Sequence, residues 1–311
     1  MPSSSPEPDA AVRSVLPDSL QHPTVDALLR RCVAEDVDPT GTWPASDDPT
    51  ATGDVTSAAT VPPDAHLTGT LLSKDDGVVA GLPLIRALCR LVDESLSVDV
   101  RVQEGDRVTP GDVLATIHGP GRALLTAERP ALNLLADLSG VATKTRQYVE
   151  AVAHTDAAIL DTRKTRPGMR RPHKYAVRQG GGTNHRMGLF DMVLVKENHI
   201  AAAGGVAQAL RQVRDAHGDQ YPIEVEVTTL DELTAALPLS PDIVLLDNMD
   251  LPTLRRAVDR AGDAVALEAS GGITLDTVAD VADTGVDRIS VGALTHSAPA
   301  LDLSLRTDDR S

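Results

Sequence analysis

From about Asp161 onward the sequence keeps one rhythm. Short apolar runs end at Asp161, Val195, Val227, Leu246, Glu268 and Val291, mostly with helical stretches between them. Strands that alternate with helices predict a parallel sheet, because parallel neighbours need a long crossover. Six such strands are too few for a complete eight-fold barrel, so the expected fold is α/β with an incomplete barrel or an open sheet. Polar residues follow the runs: Asp161-Thr-Arg-Lys-Thr165, Lys196-Glu-Asn-His199, Glu224-Val-Glu226, Asp247-Asn248, Ser270-Gly-Gly272 and Gly292-Ala-Leu-Thr-His296. In parallel α/β folds the carboxyl ends of the strands converge on one rim, and ligands bind there.

Charge sharpens this picture. The chain carries 45 Asp+Glu against 29 Lys+Arg, a formal net charge of −16. Such a mean field repels nucleic acid and anionic membranes, so neither is an expected partner. Between Asp161 and Ile200, however, nine cations face three acids, so this window is +6 and the remainder of the chain −22. Arg163, Lys164, Arg186 and Lys196 lie beside strand ends or a glycine loop and suit an anionic ligand. Arg170 and Arg171 suit a solvated helix face. The acid excess itself reads as a surface adapted to high salt. On that reading stability and activity fall as salt is withdrawn; equal performance in low salt contradicts it.

Glycine supplies the complementary element. Ser270-Gly271-Gly272-Ile273-Thr274 joins a strand to a helix, where backbone N–H groups can approach a phosphate. Gly292-Ala293 repeats the arrangement one strand later, and Gly180 through Arg186 forms a third flexible loop. G-x-x-x-x-G-K-[ST], H-E-x-x-H and G-x-S-x-G are all absent, which excludes a P-loop nucleotidase and removes the usual zincin and serine-hydrolase signatures. Glu226 and Asp247 are unexpected beside a purely anionic ligand. They suit one that also carries hydroxyls, a divalent cation, or a carbon that becomes positive in the transition state. A phosphorylated sugar bound with Mg²⁺ meets all three conditions; the alternative is that each carboxylate caps a following helix.

The first half is organised differently. Residues 1–22, rich in Ser, Pro and Asp without an apolar core segment, read as a disordered tail rather than a signal peptide. No apolar stretch is long enough to span a membrane, so the expected location is the cytoplasm. A helix over Val25–Val33 precedes a loop or insertion from Asp38 to Thr56, whose Trp43 reads as a partly exposed anchor. Strands are expected at His66–Ser73, Val78–Gly81, Val98–Gln103 and Val113–His118 around a helix at Pro83–Asp93, followed by a long helix or helix pair over Ala127–Ala153. Gln103–Ile117 resembles the hammerhead of biotinyl and lipoyl carriers. No lysine lies between Arg101 and Arg122, so the carrier chemistry is missing and a small antiparallel substructure with Gly-Asp turns remains. Cys32 and Cys89 read as buried thiols.

Taken in order, Glu128-Arg-Pro-Ala-Leu-Asn133, Leu138 through Thr143, Asp161 through Thr165, Lys174-Tyr-Ala-Val177, Gly180 through Arg186, Lys196 through His199, Glu224-Val-Glu226, Leu245-Leu-Asp-Asn248, Glu268 through Ile273 and Val291 through Ser297 resemble the quinolinate phosphoribosyltransferase family. Gly53-Asp-Val-Thr56 is a weaker match upstream. The resemblance implies an N-terminal α/β sandwich over residues 23–133, with 297–308 expected to return to it, and an open α/β barrel over 134–296. It implies conversion of quinolinate and phosphoribosyl pyrophosphate to nicotinate mononucleotide, CO₂ and pyrophosphate with Mg²⁺. Carried over by residue, Arg163, His185, Arg186 and Lys196 look like a clamp for the quinolinate carboxylates. Arg129 would complete it from the neighbouring subunit of a homodimer or higher homo-oligomer. Lys164 resembles a pyrophosphate contact, Glu226 and Asp247 the ribose and metal carboxylates, and Ser270, Gly271, Gly272, Gly292 and His296 the 5′-phosphate pocket. Glu197 and Arg166 depart from the family pattern and are expected to retune the pocket's charge. A related phosphoribosyltransferase-like protein associated with molybdenum metabolism shares the fold, and the complete clamp separates the two.

Overall fold

The computed structural model describes residues 12, 14–38 and 53–307; Trp43 and nearly all of the expected insertion lie outside them. The chain forms two compact units, residues 1–143, 166–180 and 298–311 in the first and 144–165 and 181–297 in the second. The boundary expected at 133 and 134 falls inside a single helix, Gly121–Ala151, and residues 166–180 group with the first unit instead of the barrel. Residues 14–22, expected as disordered tail, make turns that bury Leu16 and Leu20. Two leucines four apart are too short a pattern to read as periodic.

In the first unit, strands are numbered in chain order: β1 (His66–Ser73), β2 (Gly77–Val78), β3 (Ser97–Val100), β4 (Arg107–Val108) and β5 (Val113–Pro120). The C-terminal strand Leu303–Thr307 returns to pair antiparallel with β1, giving the sheet order C-terminal strand, β1, β5, β3. β2 and β4 form a separate antiparallel pair. The strand expected at Val78–Gly81 stops early because Gly81, at φ +116°, turns the chain into helix Leu82–Val92. The Glu104 carboxylate accepts from the amides of Gly81 and Leu82, satisfying donors that the helix start leaves open. That helix packs on helix Pro23–Val37, and Leu29, Val33, Leu84, Ile85, Leu88 and Cys89 are all buried. Cys32 is only half-buried; both thiols are free.

The long helix starts six residues before the expected Ala127 and carries Pro130 inside it. Its Gly140 lies against the returning C-terminal segment, where a Cβ would collide with the Pro299 carbonyl oxygen. Gly140→Ala is therefore expected to destabilise the protein by about 1–3 kcal/mol through overpacking, against the helix propensity it gains. Thermal melting checks this; an unchanged or raised midpoint contradicts the close approach.

The second unit contains β6 (Ala158–Leu160), β7 (Val193–Val195), β8 (Ile223–Val227), β9 (Ile243–Asp247), β10 (Ala266–Ser270) and β11 (Arg288–Ser290). Their order is β6-β11-β10-β9-β8-β7, all parallel. β6 and β7 occupy opposite ends of that order, so the sheet is the open, incomplete barrel expected from the strand number. Val225, Val227, Val244, Leu246, Leu267, Ala269 and Ile289 are buried, as strands covered on both faces require. Among the described residues no helix is long and apolar enough to cross a membrane.

Candidate active site

The strand order brings the polar strand ends together. A cavity of about 430 Å³ opens at the carboxyl ends, lined by Arg163 and Lys164 after β6, His185 and Arg186 from the loop before β7, Lys196 after β7, Glu226 of β8, Asp247 of β9, and Ser270, Gly271 and Gly272 at the end of β10. Gly292 and His296 do not line it but stand beside Lys164: a Cβ on Gly292 would touch the Lys164 chain, and the Thr295 hydroxyl donates to the Lys164 carbonyl at 2.9 Å. Arg129 is placed elsewhere. It belongs to the first unit, where it lines a different cavity with Asp36, Asp54 and Thr126.

Arg163, Lys164 and Lys196 are exposed, and Arg186 is half-buried. Burial, and then the neighbouring Arg163, lower the Arg186 pKa, so this cluster favours an anion that relieves both penalties. Lys196 Nζ lies 3.0 Å from Glu226 Oε2, which couples one cation of the rim to one of its carboxylates. Asn248 donates from Nδ2 to Asp247 Oδ2 at 2.7 Å, and its backbone N–H donates to the Ser270 carbonyl at 2.8 Å. Asn248 holds φ at +53°, one of two non-glycine residues with positive φ among those described. Strained backbone of this kind persists where neighbours over-determine it.

The glycine loop differs from expectation in one respect. Gly271 and Gly272 do not open a helix directly; helix Val278–Ala282 begins several residues later. Any phosphate would meet loop amides, not a helix terminus. Gly271 sits at φ +103° with its Cα facing Asn248, and a Cβ there would collide with the Asn248 side-chain oxygen. Gly271→Ala is expected to distort both the loop and the Asp247–Asn248 corner. The KM for a phosphorylated substrate should then rise about tenfold or more, the worth of a hydrogen bond to a charged group. A variant with wild-type KM contradicts that reading.

Two positions before three residues that line the cavity, Glu226, Ser270 and Ser290, a charged residue lies on the same strand face. Glu224, Glu268 and Arg288 stand beneath Glu226, Ser270 and Ser290 respectively. Both glutamates are fully buried. His185 Nε2 lies 3.0 Å from Glu224 Oε2 and 3.4 Å from Glu268 Oε1, while Arg288 Nε lies 2.9 Å from Glu268 Oε2. Burial alone would lower the His185 pKa, but these two carboxylates outweigh it and hold it above the usual imidazole range. Burial raises the Glu224 pKa.

Sequence reasoning did not assign roles to Asn248, Glu224, Glu268 or Arg288. Their signal was present in the Glu-Val-Glu alternation and in Asn248 following Asp247, but pairing across strands is not written in local spacing. Arg166 corrects another expectation. It belongs to the first unit, ion-paired with Asp137 and donating to the Ala298 carbonyl, and does not line the rim cavity. Asp137 also takes His173 Nε2 at 2.9 Å; burial, then Arg166, push the His173 pKa down to about 4. Glu197 is exposed at the start of helix Glu197–Ala203 and does not line the cavity either.

An open parallel barrel with cations, carboxylates and a glycine loop on one rim defines an α/β-barrel protein built to hold anionic, phosphorylated ligands. The chain belongs to the quinolinate phosphoribosyltransferase family: residues 54–139 match its N-terminal domain and residues 141–306 its C-terminal domain. It is similar to the nicotinate-nucleotide pyrophosphorylase [carboxylating] of Mycobacterium leprae, 46% identical over 81% of this chain and 90% of that one. The Bacillus subtilis probable enzyme of the same name is 41% identical over 82% and 88%. Among solved structures, the nicotinate-nucleotide pyrophosphorylase from Francisella tularensis superposes with a TM-score of 0.83 at 36% identity, covering 94% of this chain and 99% of that one.

Proposed function

We propose that the protein transfers the phosphoribosyl group of phosphoribosyl pyrophosphate to quinolinate with decarboxylation, giving nicotinate mononucleotide, CO₂ and pyrophosphate in cytoplasmic NAD biosynthesis. The observation that carries this is the meeting of Arg163, Lys164, Arg186 and Lys196 with Glu226 and Asp247 around one cavity. Arg163, Arg186 and Lys196 hold the two carboxylates of the acceptor, with His185 behind them. Lys164 takes the pyrophosphate, and Ser270, Gly271 and Gly272, backed by Gly292 and His296, take the 5′-phosphate. As pyrophosphate leaves, positive charge develops on the ribose, and Glu226 and Asp247 are placed to stabilise it electrostatically. Attack by the pyridine nitrogen creates a pyridinium that draws electrons from the adjacent carboxylate, so CO₂ departs, and the ring carbon that keeps the bonding pair takes up a proton from solvent. No covalent nucleophile is needed. The protein's contribution is to hold two polyanions together against their repulsion.

Mg²⁺ fits the donor set, since Glu226 and Asp247 offer the hard carboxylate oxygens this ion prefers. When bound with the donor it would neutralise pyrophosphate charge, held by Glu226 and Asp247 directly or through water or substrate. Arg129 completes the clamp from the neighbouring subunit of a homodimer or higher homo-oligomer. Subunit mixing tests that placement: Arg129→Ala and Lys196→Ala proteins, each impaired, should regain activity on reassembly, because one site in the hybrid carries neither change. Absence of recovery in demonstrated hybrids assigns Arg129 to its own subunit's site or to none.

A further inference from the structure

Beneath the rim lies a charged cluster that the proposed chemistry does not itself use. Glu224 and Glu268 come from different strands, have no exposed surface and converge on one imidazole. Buried carboxylates are retained only when paired, and breaking such a pair is costly. Here the second carboxylate is also matched by Arg288, which stands opposite Glu268 in the β10–β11 register. The Nε2–H of His185 and the Arg288 guanidinium thus supply the donors that face the two acids.

The ring is fixed on its other side as well. His185 Nδ1 accepts the Arg186 backbone N–H at 2.7 Å, which places the ring's first proton on Nε2, between the carboxylates. The His185 backbone N–H donates to Asp161 Oδ1 at 3.0 Å, and Asn184 Nδ2 donates to Asp161 Oδ2 at 2.6 Å. These ties act directly after the glycine run, where Gly181 sits at φ +91° and the chain has little intrinsic preference. Left untied, Arg186 would lose conformational freedom on every binding event, at a cost in affinity.

We propose that Glu224 and Glu268, with Arg288, are positioning residues that fix His185 and, through its contact with the Arg186 amide, aim the Arg186 guanidinium at the carboxylates of the acceptor. The proposal rests on reading the cavity as a quinolinate site. It makes the buried layer a determinant of acceptor affinity, separate from the donor subsite built on Ser270, Gly271 and Gly272.

The test uses Glu224→Gln and Glu268→Gln in the full chain, which keep side-chain shape and remove the charge. The KM for quinolinate should rise about tenfold or more, as expected for a charged hydrogen bond. That for phosphoribosyl pyrophosphate should stay within about twofold, because the ties of both glutamates run through His185 to Arg186 and not to the Ser270–Gly272 loop. A merely structural role would instead lower kcat by reducing the number of active sites and leave the quinolinate KM unchanged, and that result overturns the proposal. In a His185→Gln background, Glu224→Gln should add no further rise; full additivity overturns it too. Nitrogen NMR of the wild-type ring needs no folded variant: a proton on Nε2 is expected, and a bare Nε2 contradicts the geometry. Wild-type protein that does not consume quinolinate removes the functional reading instead, and the ring spectrum still reports on the cluster.

Discussion

Arg163→Ala and Lys196→Ala should each lower kcat/KM for quinolinate by about 10- to 100-fold, the range for losing a charge-assisted hydrogen bond, while the melting temperature should hardly move. Both side chains are exposed, so removing them leaves the core intact. The two variants should nevertheless differ. Lys196 is ion-paired with Glu226 at 3.0 Å, so its loss also frees a carboxylate of the donor subsite. Lys196→Ala therefore disturbs the KM for both substrates, whereas Arg163→Ala disturbs chiefly that for quinolinate. Steady-state kinetics with each substrate varied in turn separates the patterns. Equal, acceptor-only defects would show that the Lys196–Glu226 pair does not link the two halves of the site.

Glu226→Gln and Asp247→Asn are expected to act on kcat. Removing a group aimed at charge that develops in the transition state costs about 10²–10³ in rate. Quinolinate binding should survive both changes. In Glu226→Gln it should hold or tighten, because Lys196 loses a competing partner and is left to the acceptor. Equilibrium binding of quinolinate beside single-turnover rates checks this. A loss of binding without a loss of kcat would place these carboxylates in the acceptor clamp.

Much of this arrangement could be read from the chain. The strand ends of the barrel fall within two residues of the ends of the apolar runs, because a strand buried on both faces has no alternation to blur its limits. The rim residues were legible for the same reason: each polar cluster follows directly on such a run. Arg129 was legible only through resemblance, since it lies in a helix of the other unit with nothing local to mark it. Helix Arg170–Gln179 shows how far local composition reaches. Arg170 and Arg171, expected on a solvated face, are half-buried, while Pro172, His173, Lys174 and Tyr175 beside them are buried and the helix belongs to the first unit. Burial there depends on contacts with residues far away in sequence. The Glu224–His185–Glu268–Arg288 cluster was hidden likewise, since four residues spread over a hundred positions meet only once the strand order is known.

The opposing charges of the chain also acquire a place. Arg163, Lys164, Arg186 and Lys196, drawn from the cationic window, converge on the cavity. Arg166 and the cations of helix Arg170–Gln179, although in the same window, serve the first unit instead.

Release of CO₂ from carboxyl-labelled quinolinate, with phosphoribosyl pyrophosphate and Mg²⁺ present and nicotinate as the control acceptor, tests the central claim most directly. Labelled CO₂ should appear in step with pyrophosphate and nicotinate mononucleotide, and nicotinate should not be consumed. Consumption of nicotinate with quinolinate left intact would contradict the account.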